Sequence, residues 1–183
     1  MDLFTLNFLL SVGGLGLTAL TVILFVDYVW YGSQFYRKFV EKFVWQLILV
    51  TTVGSVVLSL VYSEYFGFIP CSLCWLQRIA LYPQALLALM AMRTKERVFF
   101  PFYSIGLSVF GLMVAVYHYV YQMMPKEPTG SSIMPCLADG SADCATKIID
   151  EFGFVTFPFL SAVTFAFLIA LYLNMRRSSN VQV

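Results

Sequence analysis

The sequence is short of charge. Lys, Arg, Asp and Glu make up 11% of 183 residues against 60% hydrophobic ones, and that shortage excludes an ordinary soluble domain, where about a quarter of residues are charged. It also leaves no basic surface for a nucleic acid, because binding phosphates requires clustered Lys and Arg. No glycine-rich phosphate loop and no dense carboxylate cluster is present, so nucleotide chemistry and paired-acid catalysis have no residues to carry them. Cysteine is scarce too, at four residues. Those four are nevertheless the side chains best suited to chemistry.

What the chain has in quantity is uncharged length. Five stretches compete for a bilayer: Leu6 to Trp30, Phe43 to Tyr62, Cys74 to Met92, Val98 to Met124 and Phe152 to Met175. A helix needs about 20 residues to cross roughly 30 Å of hydrocarbon and satisfies its own backbone groups while doing so. The third stretch is the weakest because Arg78 interrupts it, but an Arg near the boundary can reach the headgroups or face a polar site between helices. The first lacks a basic leader and exceeds a signal core in length, so a retained helix is expected. Gly13, Gly14 and Gly16 would let a second helix approach it closely. The expectation is an all-α integral membrane protein.

Charge placement orients it. Arg37, Lys38 and Lys42 fall between spans one and two, Arg93, Lys95 and Arg97 between three and four, and Arg176 and Arg177 after span five. Eight of the 11 basic residues thus share one side, which the positive-inside rule assigns to the cytoplasm. The N-terminus, the short segment 63–73 and the long, acidic segment 125–151 then face outward, and with them Cys71, Cys74, Cys136 and Cys144. In a bacterial envelope that side is oxidising.

Four outward cysteines in two segments admit two static disulfides, a four-thiolate zinc site, or two disulfides in exchange. Static bonds add little to packed membrane helices, and neither loop resembles a zinc knuckle, so no metal is expected and exchange is favoured. In Cys71-Ser-Leu-Cys74, the second sulfur falls in the first turn of span three, where the positive helix end stabilises an anion. Arg78 lies one turn further on the same face. Both effects make Cys74 the expected low-pKa thiol, while Cys71, after Pro70 and nearer water, is expected to meet the incoming sulfur. The second pair sits in a run of turn formers from Pro125 to Ser141, suited to a mobile relay. Beyond it, Ala145 to Phe154 reads as a short amphipathic interfacial element or a plain lead-in to span five.

Cys71-Ser-Leu-Cys74-Trp75-Leu76-Gln77-Arg78, followed in a later outward loop by Pro135-Cys136 and Cys144, resembles the bacterial disulfide bond formation protein B family. The resemblance spans roughly residues 44–175. It implies a four-helix transmembrane bundle, with residues 1–43 an additional N-terminal transmembrane helix and its loop, and 176–183 a cytoplasmic tail. It also implies a multi-pass protein of the bacterial inner membrane, in which the additional helix would move the N-terminus outside. The extra helix departs from the family plan, and packing or partner contact is all that it suggests. The Cys136 to Cys144 spacing is also short for the family.

The resemblance further implies a thiol:quinone oxidoreductase. A periplasmic thioredoxin-fold thiol oxidase, of the DsbA kind, would deliver electrons to Cys136. Cys144 would then attack Cys71, and Cys74 would face ubiquinone or menaquinone from the membrane pool. Arg78 is implied as the residue that holds or polarises the quinone, and His118 as a match to a histidine at that site, though it could equally be an interface anchor in Tyr117-His118-Tyr119. Trp75, Phe68 and Tyr82 are candidate ring neighbours, and Gln77 could address a carbonyl oxygen. Two other readings stay open: a quinone-coupled enzyme of the vitamin K epoxide reductase type, disfavoured by the order of its cysteine motifs, and a non-catalytic scaffold with structural disulfides.

Overall fold

A computed structural model describes residues 2–30, 37–124 and 144–180. Five long helices account for most of them: α1 (Leu3–Trp30), α2 (Arg37–Leu60), α3 (Ser72–Thr94), α4 (Phe99–Met123) and α5 (Phe157–Asn180). Each contains a window long and apolar enough to cross a membrane, and the protein is a multi-pass helical membrane protein. Pro83 falls inside α3 without ending it.

Contacts between α2 and α3, α3 and α4, α4 and α5, and α5 and α2 close a ring of four helices. Helix α1 stands outside the ring and packs on α5. With neighbours on three sides, α5 is the most buried span, and Phe165, Phe167, Leu168, Leu171 and Tyr172 are almost wholly enclosed. In lipid, helices gain little from hiding apolar surface, so close packing and buried polar contacts must hold the ring. Gln84 of α3 supplies one such contact: its Oε1 accepts from Ser108 of α4 at 3.0 Å and from Tyr172 of α5 at 3.0 Å. Gly111 supplies close packing, since a Cβ there would lie 2.3 Å from the Phe165 ring. Of the three glycines in α1, only Gly14 meets a neighbouring helix, its Cβ position lying 2.2 Å from Leu160. Gly13 and Gly16 face open space.

Two boundaries differ from expectation. Helix α2 runs on through a π-helical turn, Val61–Tyr65, which carries Tyr62 into the interior. Helix α5 starts at Phe157 rather than Phe152, and Ala145 to Phe154 is an irregular lead-in to it, the second of its two readings. The cause is a tight loop in which Glu151 and Val155 exchange backbone hydrogen bonds of 3.1 and 3.0 Å. Phe152 (φ +56°) and Gly153 (φ +75°) turn the chain through the left-handed region, a conformation that no helix continues through. The turn-rich stretch from Pro125 to Ser141, with Cys136, lies outside the described residues.

At the end away from the cysteines, α3 closes on a left-handed Lys95 whose N–H returns to Ala91, as helix C-termini commonly do. The next residue starts α4: Glu96 accepts from the backbone N–H groups of Val98 at 2.7 Å, Phe99 at 2.9 Å and Phe100. Burial pushes this carboxyl up, but the three N–H donors outweigh it and hold the group below its ordinary value.

Two expectations follow from this packing. Gly111→Ala should cost about 1–3 kcal/mol through overpacking against Phe165, whereas Gly106→Ala, facing open space, should be neutral or mildly stabilising. Reversible unfolding in mixed detergent micelles reads both. Because Glu96 is depressed in the folded state, its contribution is present above the unfolded carboxyl pKa of about 4.3 and is lost as pH falls through the lower folded value. Glu96→Gln should therefore be less stable than the parent near neutrality, and the gap should close on acidification.

Candidate functional site

Helix α3 begins on a sulfur. Cys71 is its N-cap, in extended conformation, and its Sγ accepts from the Cys74 backbone N–H at 3.4 Å. The two Sγ atoms of the pair are 3.0 Å apart, as dithiol rather than disulfide. The Cys-Ser-Leu-Cys spacing produces this geometry: one turn of helix brings the second sulfur back over the first, and an N-cap acceptor satisfies N–H groups that the helix itself cannot.

Burial reverses an expectation. Cys71 is 6% exposed and Cys74 less enclosed, because Cys71 packs with Leu73 and Cys144 in one small cluster that Cys74, Val114 and Tyr121 complete. Cys71 is therefore a buried residue, not one open to water. The Cys74 thiol directed at Cys71 pulls its pKa below that of an ordinary thiol; burial opposes this, and the Cys74 N–H reinforces it. The capping position, one step ahead of the first turn, is where an anion gains most from the helix end. The geometry favours the anion at Cys71.

His118, buried in α4, connects the two cysteine segments. Its Nε2 lies 3.0 Å from the Cys144 carbonyl and its Nδ1 3.2 Å from the Gln77 amide. A carbonyl only accepts, so the network assigns the proton to Nε2 and makes Nδ1 the acceptor. Gln122, one turn further along α4, donates to the carbonyls of Cys144 at 3.1 Å and Thr146 at 3.2 Å. Gln122 was not singled out in the sequence; its i+4 relation to His118 is the signal that could have found it. Cys71, Cys74 and His118 also offer three ligand atoms within 4.8 Å of one another, a set that soft cations such as Zn²⁺ accept.

Arg78 is engaged by protein groups. Its Nε donates to the Ser59 hydroxyl at 2.9 Å and its Nη2 to the Ser59 carbonyl at 2.8 Å, with the guanidinium 5.2 Å from the Trp75 ring centre. This supports a cation at the edge of the apolar layer, where an uncompensated charge is costly. Trp75, Leu76 and Ile79 present an exposed apolar face beside it. Below it on α3, the Tyr82 hydroxyl is buried without a hydrogen-bond partner among the described residues. Phe68 lies elsewhere, its ring 6.3 Å from that of Tyr62. The recess lined by Phe102, Tyr103 and Arg176 is at the opposite end of α4 from His118.

Comparison with known proteins decides the family. The family described as disulfide bond formation protein DsbB matches residues 41–175. The chain belongs to this family. The SPbeta prophage-derived disulfide bond formation protein B of Bacillus subtilis (strain 168) is 36% identical over 138 residues, covering 75% of this chain and 88% of that protein. Disulfide bond formation protein C of the same organism is 36% identical over 126 residues, 68% of this chain and 83% of that one. A probable disulfide formation protein of Coxiella burnetii (strain Dugway 5J108-111) is 34% identical over 155 residues, 81% and 98% respectively. No solved structure matches. The DsbB match begins at residue 41, beyond the end of α1.

The acidity of the pair is directly measurable. In the reduced protein, the pH profile of alkylation should place the Cys71 midpoint well below that of an ordinary thiol, about 8.5, with Cys74 titrating later. Site-resolved labelling by mass spectrometry that found Cys74 ionising first would reverse the assignment.

Proposed function

We propose that this DsbB-family protein is a membrane thiol oxidase that reoxidises a periplasmic thioredoxin-fold oxidase and delivers the electrons to ubiquinone or menaquinone in a bacterial inner membrane. The observation that carries this reading is the burial of Cys144 against the Cys71/Cys74 pair, with His118 in contact with both segments. Sulfurs from two distant parts of the chain share one enclosed site, as thiol exchange between them requires. The basic residues near the opposite helix ends support an outward-facing cysteine end.

The chemistry balances over two electrons and two protons. A thiolate of the reduced partner attacks Cys136 in a Cys136–Cys144 disulfide, and the partner's second thiol resolves the mixed disulfide, leaving oxidised partner and two thiols here. Cys144 then attacks Cys71 of the oxidised first pair, forming Cys71–Cys144 and releasing Cys74 as thiolate. Attack by Cys136 on Cys144 restores the second disulfide and expels Cys71. The acidity of Cys71 favours that expulsion, since a thiol of lower pKa leaves faster. Stabilising the Cys71 thiolate also stabilises the reduced pair, which makes Cys71/Cys74 a stronger oxidant of the second pair.

The residues present fit a quinone. The apolar face of Trp75 and Ile79 would take its ring, and the Arg78 guanidinium beside Trp75 would address one carbonyl oxygen. A bound quinone would supply a two-electron, two-proton acceptor of higher potential than the thiols. Gln77 and His118 take a different part from a direct carbonyl contact: their mutual hydrogen bond holds the imidazole with its Nε2–H on the Cys144 carbonyl.

Anaerobic incubation of the purified protein with quinone and a reduced thioredoxin-fold partner, following quinol and the thiols together, tests the reading. The parent should convert one partner dithiol per quinol formed. Cys136→Ser should abolish partner-driven reduction yet leave the first pair reducible by a small dithiol. Four sulfurs that stayed oxidised throughout would instead mark a static scaffold, and partner turnover surviving Cys136→Ser would remove the entry point.

A further inference from the structure

Helix α1 is docked at both ends. Near the basic end, Arg177 of α5 donates to the Tyr28 carbonyl at 3.1 Å and lies over the Tyr28 ring at 5.3 Å. In the middle, Gly14 admits Leu160 into near contact with the α1 backbone. The cysteine end carries more than helix packing. Asn7 is 8% exposed, and both ends of its amide are used: Oδ1 accepts from the Tyr62 hydroxyl, and Nδ2 donates to the Ile148 carbonyl at 3.3 Å. Leu6, Tyr62 and Ile149 form one buried apolar cluster, with Ile148, Phe66 and Phe157 packed around it. The Phe8 and Phe152 rings meet at 6.3 Å.

The contacts at the cysteine end bear on one stretch of chain, the irregular segment between Cys144 and α5. It has no helix of its own to fix it. At Cys144 and Thr146 it is held by His118 and Gln122, and from Ile148 to Phe152 by α1 and the π-helical turn. A segment without regular structure must find partners for its backbone groups elsewhere, and Asn7 supplies one for Ile148. An amide in the outer part of a membrane helix is costly unless both its polar atoms are matched. Here both are matched, by the turn that follows α2 and by the segment that leads to the second cysteine pair.

We propose that α1 is a positioning clamp for the second cysteine segment, with Asn7 as its key residue: by holding Ile148 and Tyr62 together, it keeps Cys144 seated against Cys71 and Cys74. This deepens the relay reading above and rests on it for its functional meaning. Asn7 touches none of the reacting sulfurs and acts through the Ile148 carbonyl, four residues from Cys144.

The test reads the seating directly, without partner or quinone. Fully reduced full-length protein in lipid vesicles is exposed to a small maleimide, and alkylation of Cys144 and Cys71 is followed site by site. Asn7→Leu removes both hydrogen bonds while keeping an apolar helix, and Gly14→Ile forces α1 away from Leu160. Each should raise the Cys144 alkylation rate at least about tenfold, equivalent to about 1.4 kcal/mol of opening, and the Cys71 rate should rise with it, because Cys144 helps enclose Cys71. Gly13→Ile, facing open space, should leave both rates as in the parent. Tyr62→Phe, which cuts only one of the two Asn7 bonds, should fall between parent and Asn7→Leu.

A Cys144 rate unchanged in both Asn7→Leu and Gly14→Ile overturns the clamp. So does an equal rise in Gly13→Ile, which would show that any bulk added to α1 loosens the site. Because the parent protein's quinone turnover is measured separately, failure of the clamp and failure of the relay give different results.

Discussion

The N-terminus of α3 leaves backbone N–H groups that no helical carbonyl can reach, and the chain answers them with the sulfur of Cys71. Much of the site follows from that constraint. A sulfur that caps a helix is held at a fixed point, so the second cysteine arrives over it one turn later. The same sulfur gains from the helix end as an anion, and its enclosure by Leu73 and Cys144 keeps water from dissipating that gain. A local requirement of secondary structure thereby becomes a redox property, because whatever stabilises the thiolate makes the corresponding disulfide easier to reduce.

Around this point the polar contacts form a chain. Gln77 on α3 meets His118 on α4, His118 meets the Cys144 carbonyl, and Gln122 adds a second donor to that carbonyl and one to Thr146. Further along the same segment, Ile148 is received by Asn7, and Asn7 by Tyr62. A stretch of backbone with no regular structure is thus tied to α4 and α1, and through Asn7 to the end of α2. Arg78, by contrast, is tied to α2 through Ser59, which holds its charge at the margin of the ring, next to Trp75. The buried dithiol and the lipid-facing apolar surface therefore share α3 but point to different neighbours.

The helices were largely legible because membrane spans announce themselves by length. Five apolar runs became five helices, and the family's Cys-Ser-Leu-Cys and Arg78 spacing stood out against a chain nearly devoid of other reactive groups. What was not legible has specific causes. The late start of α5 turns on a left-handed Phe152, a conformation that a residue other than glycine does not advertise. The π-helical turn at Val61–Tyr65 has the same composition as ordinary helix. The ranking of Cys71 over Cys74 depends on which of them caps the helix and which is covered by a distant segment; spacing gives the first only approximately and the second not at all. His118 was visible as the single histidine, but its contact with Cys144 joins two segments that no periodicity relates. Asn7 carried no signal, since one amide in an apolar run has no meaning until its partners are known.

The placement of α5 bears on how such a protein is made. This helix closes the four-membered ring and is also the surface on which α1 rests. Synthesis proceeds from the other end, so α1 enters the lipid first and waits there through three further spans before its docking surface exists. An apolar helix can wait in that way at little cost, but the Asn7 amide has only Tyr62 to meet until the segment after Cys144 has emerged. Assembly of the oxidising end is therefore among the last events in biogenesis. A ribosome stalled before α5 would leave a chain whose thiols are all present but whose α1 has no helix to dock on.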